Sequence, residues 1–233
     1  LELGAEIPGY HRYRGFMEGA IIGVERGTTG VAPPRKALQE AGYAFNITNG
    51  ARTLFQGSEG ATGLGDISFY GKYQILKETS SLPALSVRVG VKAPTGDTGE
   101  VFGSGHPDAG IGLALDKKFA DNWILYANLN GVFPTGRIAG LGLQPVVSGL
   151  VAVEYLWTEN FSITVQFDYY SPPFHGTGTR VLDKGVTESV LGVSYRILPG
   201  LLWQLYGVEN LDFITGSAAD FTLSTVLTYR FRS

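Results

Sequence analysis

Phe161-Ser-Ile-Thr-Val-Gln-Phe-Asp-Tyr-Tyr170 alternates apolar and polar side chains almost without error. Phe161, Ile163, Val165, Phe167 and Tyr169 share one side, and Ser162, Thr164, Gln166, Asp168 and Tyr170 the other. Successive side chains of a strand face opposite ways, so this segment predicts a strand lying between an apolar medium and a polar one. Working outward, the same period-two pattern recurs over residues 66–76, 83–93, 108–119, 123–133, 146–157, 186–197, 201–209 and 220–231, and again over 1–7. Together these predict about ten strands, most of them near the length that crosses a bilayer when tilted. Lys117 is the main break in the pattern.

A soluble sandwich would also alternate, so the connections must discriminate. Short ones fall at 77–82, 120–122, 158–160 and 198–200, and long Gly-rich ones at 94–107, 134–145, 172–184 and 210–219. Short turns at one end and long loops at the other predict an all-β, transmembrane, antiparallel up-and-down β-barrel of the bacterial outer membrane. Aromatic residues near strand ends, among them Trp123, Tyr155, Trp157, Tyr195, Trp203 and Tyr229, read as girdles at the two membrane interfaces.

Composition agrees with this class. The 233 residues include 33 Gly and no Cys, with a formal charge of −3. That excludes a disulfide framework and Cys-based metal sites, and it is far from the basic balance of a nucleic-acid binder. No apolar run is long enough for a membrane-spanning helix. The chain reads as one barrel domain over 1–233, with 8–64 a long insertion on the loop side. Within the insertion, 15–25 reads as a short amphipathic helix. Residues 43–55 read as a hairpin turning at Asn49-Gly50. Leu1 already reads as mid-strand, so the sequence is expected to begin inside a longer protein.

Four stretches carry a resemblance: Gly63-Leu-Gly-Asp66, Val91-Lys-Ala-Pro-Thr-Gly96, Gly103-Ser-Gly-His-Pro-Asp108 and Asp220-Phe-Thr-Leu. With Leu1-Glu-Leu-Gly-Ala-Glu-Ile-Pro8 and Gly15-Phe-Met-Glu-Gly19, they resemble an uncharacterised family of proteobacterial outer-membrane barrels. That family is related in pattern to channels named after the MetA pathway of phenol degradation. The resemblance implies an intact barrel of about twelve strands, the additional ones preceding Leu1. It also implies that Leu227, Tyr229 and Phe231 form the terminal signal read by the barrel-assembly machinery, although Arg232 and Ser233 follow. It carries no catalytic or ligand residues.

The polar side places Glu2, Glu6, Lys72, Arg88, Lys92, Asp116, Lys118, Asn128, Glu154, Asp168, Glu188, Arg196 and Arg230 inward. These are the candidate lumen-lining residues of a passive channel or transport-type barrel for small, apolar or aromatic solutes, and their near balance of sign argues against strong ion selectivity. A barrel filled by its own side chains, whose long loops dock a partner, is the competing expectation. A third is a rim hydrolase in which His106 and Asp108 act on a Ser104 nucleophile. No metal or cofactor is expected from three scattered His. The expected partners are the lipid bilayer, the assembly machinery and a small solute.

Overall fold

The computed structural model describes residues 1–13, 27, 44–138, 140–211 and 221–231. Its strands are β1 (Glu2–Glu6), β2 (Gly9–His11), β3 (Ala44–Asn49), β4 (Arg52–Ser58), β5 (Thr62–Leu64), β6 (Ile67–Leu76), β7 (Ala84–Ala93), β8 (Asp108–Ala120), β9 (Trp123–Pro134), β10 (Arg137–Ile138), β11 (Leu141–Gly142), β12 (Val146–Leu156), β13 (Phe161–Tyr170), β14 (Val186–Leu198), β15 (Leu201–Asn210) and β16 (Phe221–Tyr229). One helical turn, Arg180–Asp183, sits in the loop before β14.

Ten of these strands make a single sheet in the order β1-β6-β7-β8-β9-β12-β13-β14-β15-β16, every neighbour antiparallel. Each strand therefore pairs with the one before and after it in the sheet, which is an up-and-down meander. The predicted barrel appears here as an open sheet: among the described residues β1 pairs only with β6 and β16 only with β15. Three two-stranded ribbons lie apart from the sheet, at β2–β5, β3–β4 and β10–β11. The β2–β5 ribbon continues the β1–β6 pair past Pro8, whose carbonyl accepts from Gly65 N–H at 2.8 Å.

The two faces of the sheet invert the usual burial. Its apolar face is the exposed one, with Val89 at 55%, Phe167 at 55% and Leu191 at 62%. On the polar face Ser162 is only 5% exposed and Ser194 6%. Register explains the continuity of the apolar side. Leu125, Val153, Val165, Leu191, Gly207 and Leu223 are successive cross-strand partners from β9 to β16. A run of that kind across six strands is a patch, not scattered exposed residues.

The connections segregate as predicted. Residues 121–122, 157–160 and 199–200 close tight turns at one end, and the long loops gather at the other. Lys117, which breaks the alternation, reaches back over the β6–β7 turn. Its Nζ donates to the carbonyls of Thr79 (2.6 Å) and Ser80 (3.1 Å) and lies 3.6 Å from Glu78. At this end Phe119, Trp123, Tyr155 and Trp157 form a row of ring contacts with centroids 4.7–6.3 Å apart. The predicted hairpin is β3–β4, and Gly50 takes the left-handed φ of +59° that its tight turn requires. The predicted helix over 15–25 lies outside the described residues.

Candidate functional site

Three of the glycine-bearing stretches noted above converge on one ammonium at the loop end. Lys92 Nζ lies 2.7 Å from Asp66 Oδ2, 2.6 Å from Asp108 Oδ2 and 2.6 Å from Ser104 Oγ. An ammonium has three N–H donors, and all three are taken. Asp66 is equally filled: Gly96 N–H donates to Oδ1 at 2.9 Å, and Ser104 N–H to Oδ2 at 2.9 Å. Burial pushes the Asp66 carboxyl up, but Lys92 and the Ser104 and Gly96 amides outweigh it and hold the group at about 2. The glycines have a steric cause. A Cβ on Gly103 would stand 2.5 Å from Asp66 Oδ1 and 2.8 Å from Gly96 Cα. The sequence reading opens a strand at Asp66. In the structure Asp66 lies just outside β6, and its carboxylate ties together the ends of β6, β7 and β8.

Above this staple lies a cavity of about 580 Å³. Its walls come from separate parts of the chain: Tyr10, Phe45 and Phe55 of the insertion, Phe102 of the β7–β8 loop and Phe174 of the β13–β14 loop. Arg12 fastens insertion to loop. Its guanidinium pairs with Glu100 at 3.0 Å and stands 5.1 Å from the Phe45 ring and 4.9 Å from the Phe102 ring. Val101, beside Phe102, takes φ +59°, an unusual conformation for a β-branched residue and one found where surrounding structure enforces it.

The inward residues divide into separate groups. Glu2, Glu6, Lys72 and Arg88 line a cavity of about 620 Å³ on the β1–β8 side. There Arg88 donates to Asn130 Oδ1 at 2.8 Å, and Asn130 donates to Ser148 at 3.3 Å. Gly112 lies between Arg88 and Asn130 in the register, and a Cβ there would meet Asn130 Oδ1 at 2.3 Å. Asp116, Asn128, Glu154, Asp168 and Glu188 line a second cavity of about 450 Å³ on the β8–β16 side. In it Tyr126 donates to Glu154 at 2.6 Å, Ser162 also donates to Glu154, and Gln166 donates to Asp168 at 2.8 Å. Arg196 and Arg230 stand apart, beside a hollow of about 770 Å³ at the short-turn end. Lys118 is exposed at that end, where its N–H donates to Glu78. Lys92 belongs to the rim staple.

The hydrolase constellation is not assembled. Ser104 Oγ donates to the main-chain oxygen of His106 at 3.0 Å, while the His106 ring lies over Gly136. Asp108 is occupied by Lys92 and by the Thr135 N–H at 2.8 Å. His175 lies in the β13–β14 loop, outside these clusters. Among the described residues no group of His and acidic side chains is arranged to hold a metal ion. Sequence reading missed Asp66, Asn130 and Tyr126 as site residues. Asp66 lay in a quoted motif, and the polar alternation of β9 already placed Tyr126 and Asn130 inward.

No curated protein gives a significant match to this chain. A family model matches residues 36–231, well over half of the sequence, and the chain belongs to that family, described as proteins of unknown function (DUF3187).

Proposed function

We propose that this chain is the wall of a β-barrel in the bacterial outer membrane and that it passes small solutes along its polar face. The observation that carries the reading is the inverted sheet, which exposes its aliphatic side chains and buries its serines. That distribution is unfavourable in water and favourable where the outer medium is hydrocarbon. The ring row at the short-turn end fits an interfacial girdle. Strands β6–β9 and β12–β16 run 9 to 13 residues, enough to cross a tilted bilayer. Closure is part of the proposal. In lipid the outer edges of β1 and β16 cannot stay unpaired, so they join directly or through further strands. Kinship with proteobacterial outer-membrane barrels, and in pattern with MetA-pathway channels of phenol degradation, belongs to the same reading.

A closed barrel that docks a partner through its loops is the second reading. It draws on Tyr70 and Tyr206, whose rings lie across Gly4 and Gly192 and occupy the polar face. Single-channel conductance of refolded full-length protein in planar bilayers separates the two. An open pore gives steady conductance that moves toward cation preference in Arg88→Glu. A heat-modifiable barrel without conductance overturns the channel and leaves the docking barrel.

A further inference from the structure

The cavity above the staple lies among the long loops, at the mouth of the proposed barrel. It is lined by five aromatic rings drawn from three segments remote in sequence, on loops that face water in the proposed barrel. Ring clusters under long loops are often plain packing. Here the rings form two pairs, Tyr10 with Phe102 at 5.4 Å and Phe55 with Phe174 at 6.1 Å, and both pairs line the same open volume. Both pairs are held from behind. Arg12 and Glu100 fix the first, and the second is set by Gln144, whose amide donates to the carbonyls of Pro172 and Phe174 at 2.9 and 3.1 Å. A volume of about 580 Å³ with apolar walls and few polar groups has the dimensions of a small-molecule site.

The floor sets the sign of the ligand. Lys92 has no N–H left to offer an anion, because Asp66, Asp108 and Ser104 take all three. Among the described residues the neighbouring fixed charges are the carboxylates of Asp66, Asp108, Glu6 and Glu100 against the Lys92 ammonium and the Arg12 guanidinium, a net of two negatives. The Glu6 backbone is held in the β1–β6 ladder, and its carboxylate makes no ion pair or side-chain hydrogen bond with the described residues. It lines both this cavity and the one containing Lys72 and Arg88, so it stands where the mouth opens onto the polar face.

We propose that the mouth cavity is a binding site for a small hydrophobic amine: its aromatic or aliphatic body lies among the Phe rings and its ammonium pairs with Glu6. A neutral analogue binds less tightly and an anionic one is rejected. The inference rests on the barrel reading only for the statement that a bound molecule passes onward to the polar face. Ring faces add to the attraction for the cation.

The test is calorimetric titration of the full-length protein in lipid nanodiscs with three probes of equal size: benzylamine, benzyl alcohol and benzoate. The expected order is benzylamine, then benzyl alcohol, then benzoate, with about tenfold between first and last from one carboxylate–ammonium contact at the rim. Glu6→Gln, at an exposed position, removes the preference for benzylamine over benzyl alcohol. Phe174→Leu weakens both. Equal affinity for all three probes, tightest binding of benzoate, or an amine preference that survives Glu6→Gln overturns the proposal. Conductance is recorded on the same preparations. Conductance without binding of any probe refutes this site and leaves the channel standing, whereas binding without conductance refutes the channel and leaves the site.

Discussion

Leu191→Arg tests the environment of the sheet directly. Leu191 is 62% exposed near the middle of β14, between Val165 on β13 and Gly207 on β15. If that face met water, replacing an exposed Leu by Arg would cost no more than about 0.5 kcal/mol. Facing the middle of a bilayer, the same change costs about 2–4 kcal/mol. Its flanking partners in the register, Val153 and Leu223, are apolar as well, and the nearest acid on that face, Glu209, stands only diagonally to it, opposite Ser189 toward the loop end. Depth provides the control. Trp157 is also exposed, at 64%, but stands in the ring row at the short-turn end, where an Arg costs about 0–1 kcal/mol. Equilibrium folding into phospholipid vesicles from denaturant, followed by the mobility shift between folded and unfolded forms, gives both differences. The expected result is a loss for Leu191→Arg several times that for Trp157→Arg. Equal losses below about 0.5 kcal/mol at both positions would refute the reasoning, because they would place this face in water.

Two further outcomes follow from named contacts. Asp66 is held at about 2 against an ordinary 3.8, so its contribution to the rim is present above the unfolded value and is lost as pH falls from about 4 through about 2. Amide exchange at Gly96 and Ser104, corrected for intrinsic rate, should show that acid loss in the wild type. Asp66→Asn should abolish it while lowering rim protection at neutral pH by roughly 1–2 kcal/mol, the shift discounted for solvent at the mouth. Gly112→Ala places a Cβ against Asn130 Oδ1 and must displace it from Arg88, at a cost of about 1–3 kcal/mol by overpacking. An unchanged unfolding midpoint in that variant would mean that the Arg88–Asn130 contact contributes nothing.

The strands were legible because period two is a local signal, and Asn49-Gly50 was legible because a tight hairpin needs a residue tolerant of positive φ. The rim staple was not. Asp66 meets Lys92, Gly96 and Ser104 across separations of 26, 30 and 38 residues, and no local pattern announces such pairings. Asp108 and His106 misled for a related reason. Two residues apart at a strand start, they suggested a shared task, yet each is committed elsewhere, one to Lys92 and the other to Gly136. The mouth rings were hidden likewise, since Phe55, Phe102 and Phe174 come from three different connections. Lys117 was legible only as a break in the alternation, because what it serves, the carbonyls of Thr79 and Ser80 and the Glu78 carboxylate, lies nearly forty residues away in the β6–β7 turn.

The placement of charge also changes what the polar face can do. Counted along the sequence, inward acids and bases nearly cancel, and a mixed lumen would discriminate little between ions. In the structure they are segregated. Asp116, Glu154, Asp168 and Glu188 line one cavity that no Lys or Arg lines, and Asp168 and Glu188 are direct cross-strand partners. Lys72 and Arg88 lie on strands at the other side of the sheet. In the proposed barrel such a sheet would set an acidic wall opposite one of mixed sign, with Arg196 and Arg230 at the short-turn end, so the field would have a component across the pore as well as one along it. A transverse field orients dipolar solutes and favours a cation near one wall without barring neutral molecules. The rim follows a different rule, because there Lys92 is saturated and, of the charged groups lining the cavity, the Glu6 carboxylate has no side-chain partner among the described residues. Selection by sign would therefore act at the mouth, where one carboxylate stands beside apolar rings, and the polar face below would act mainly on orientation.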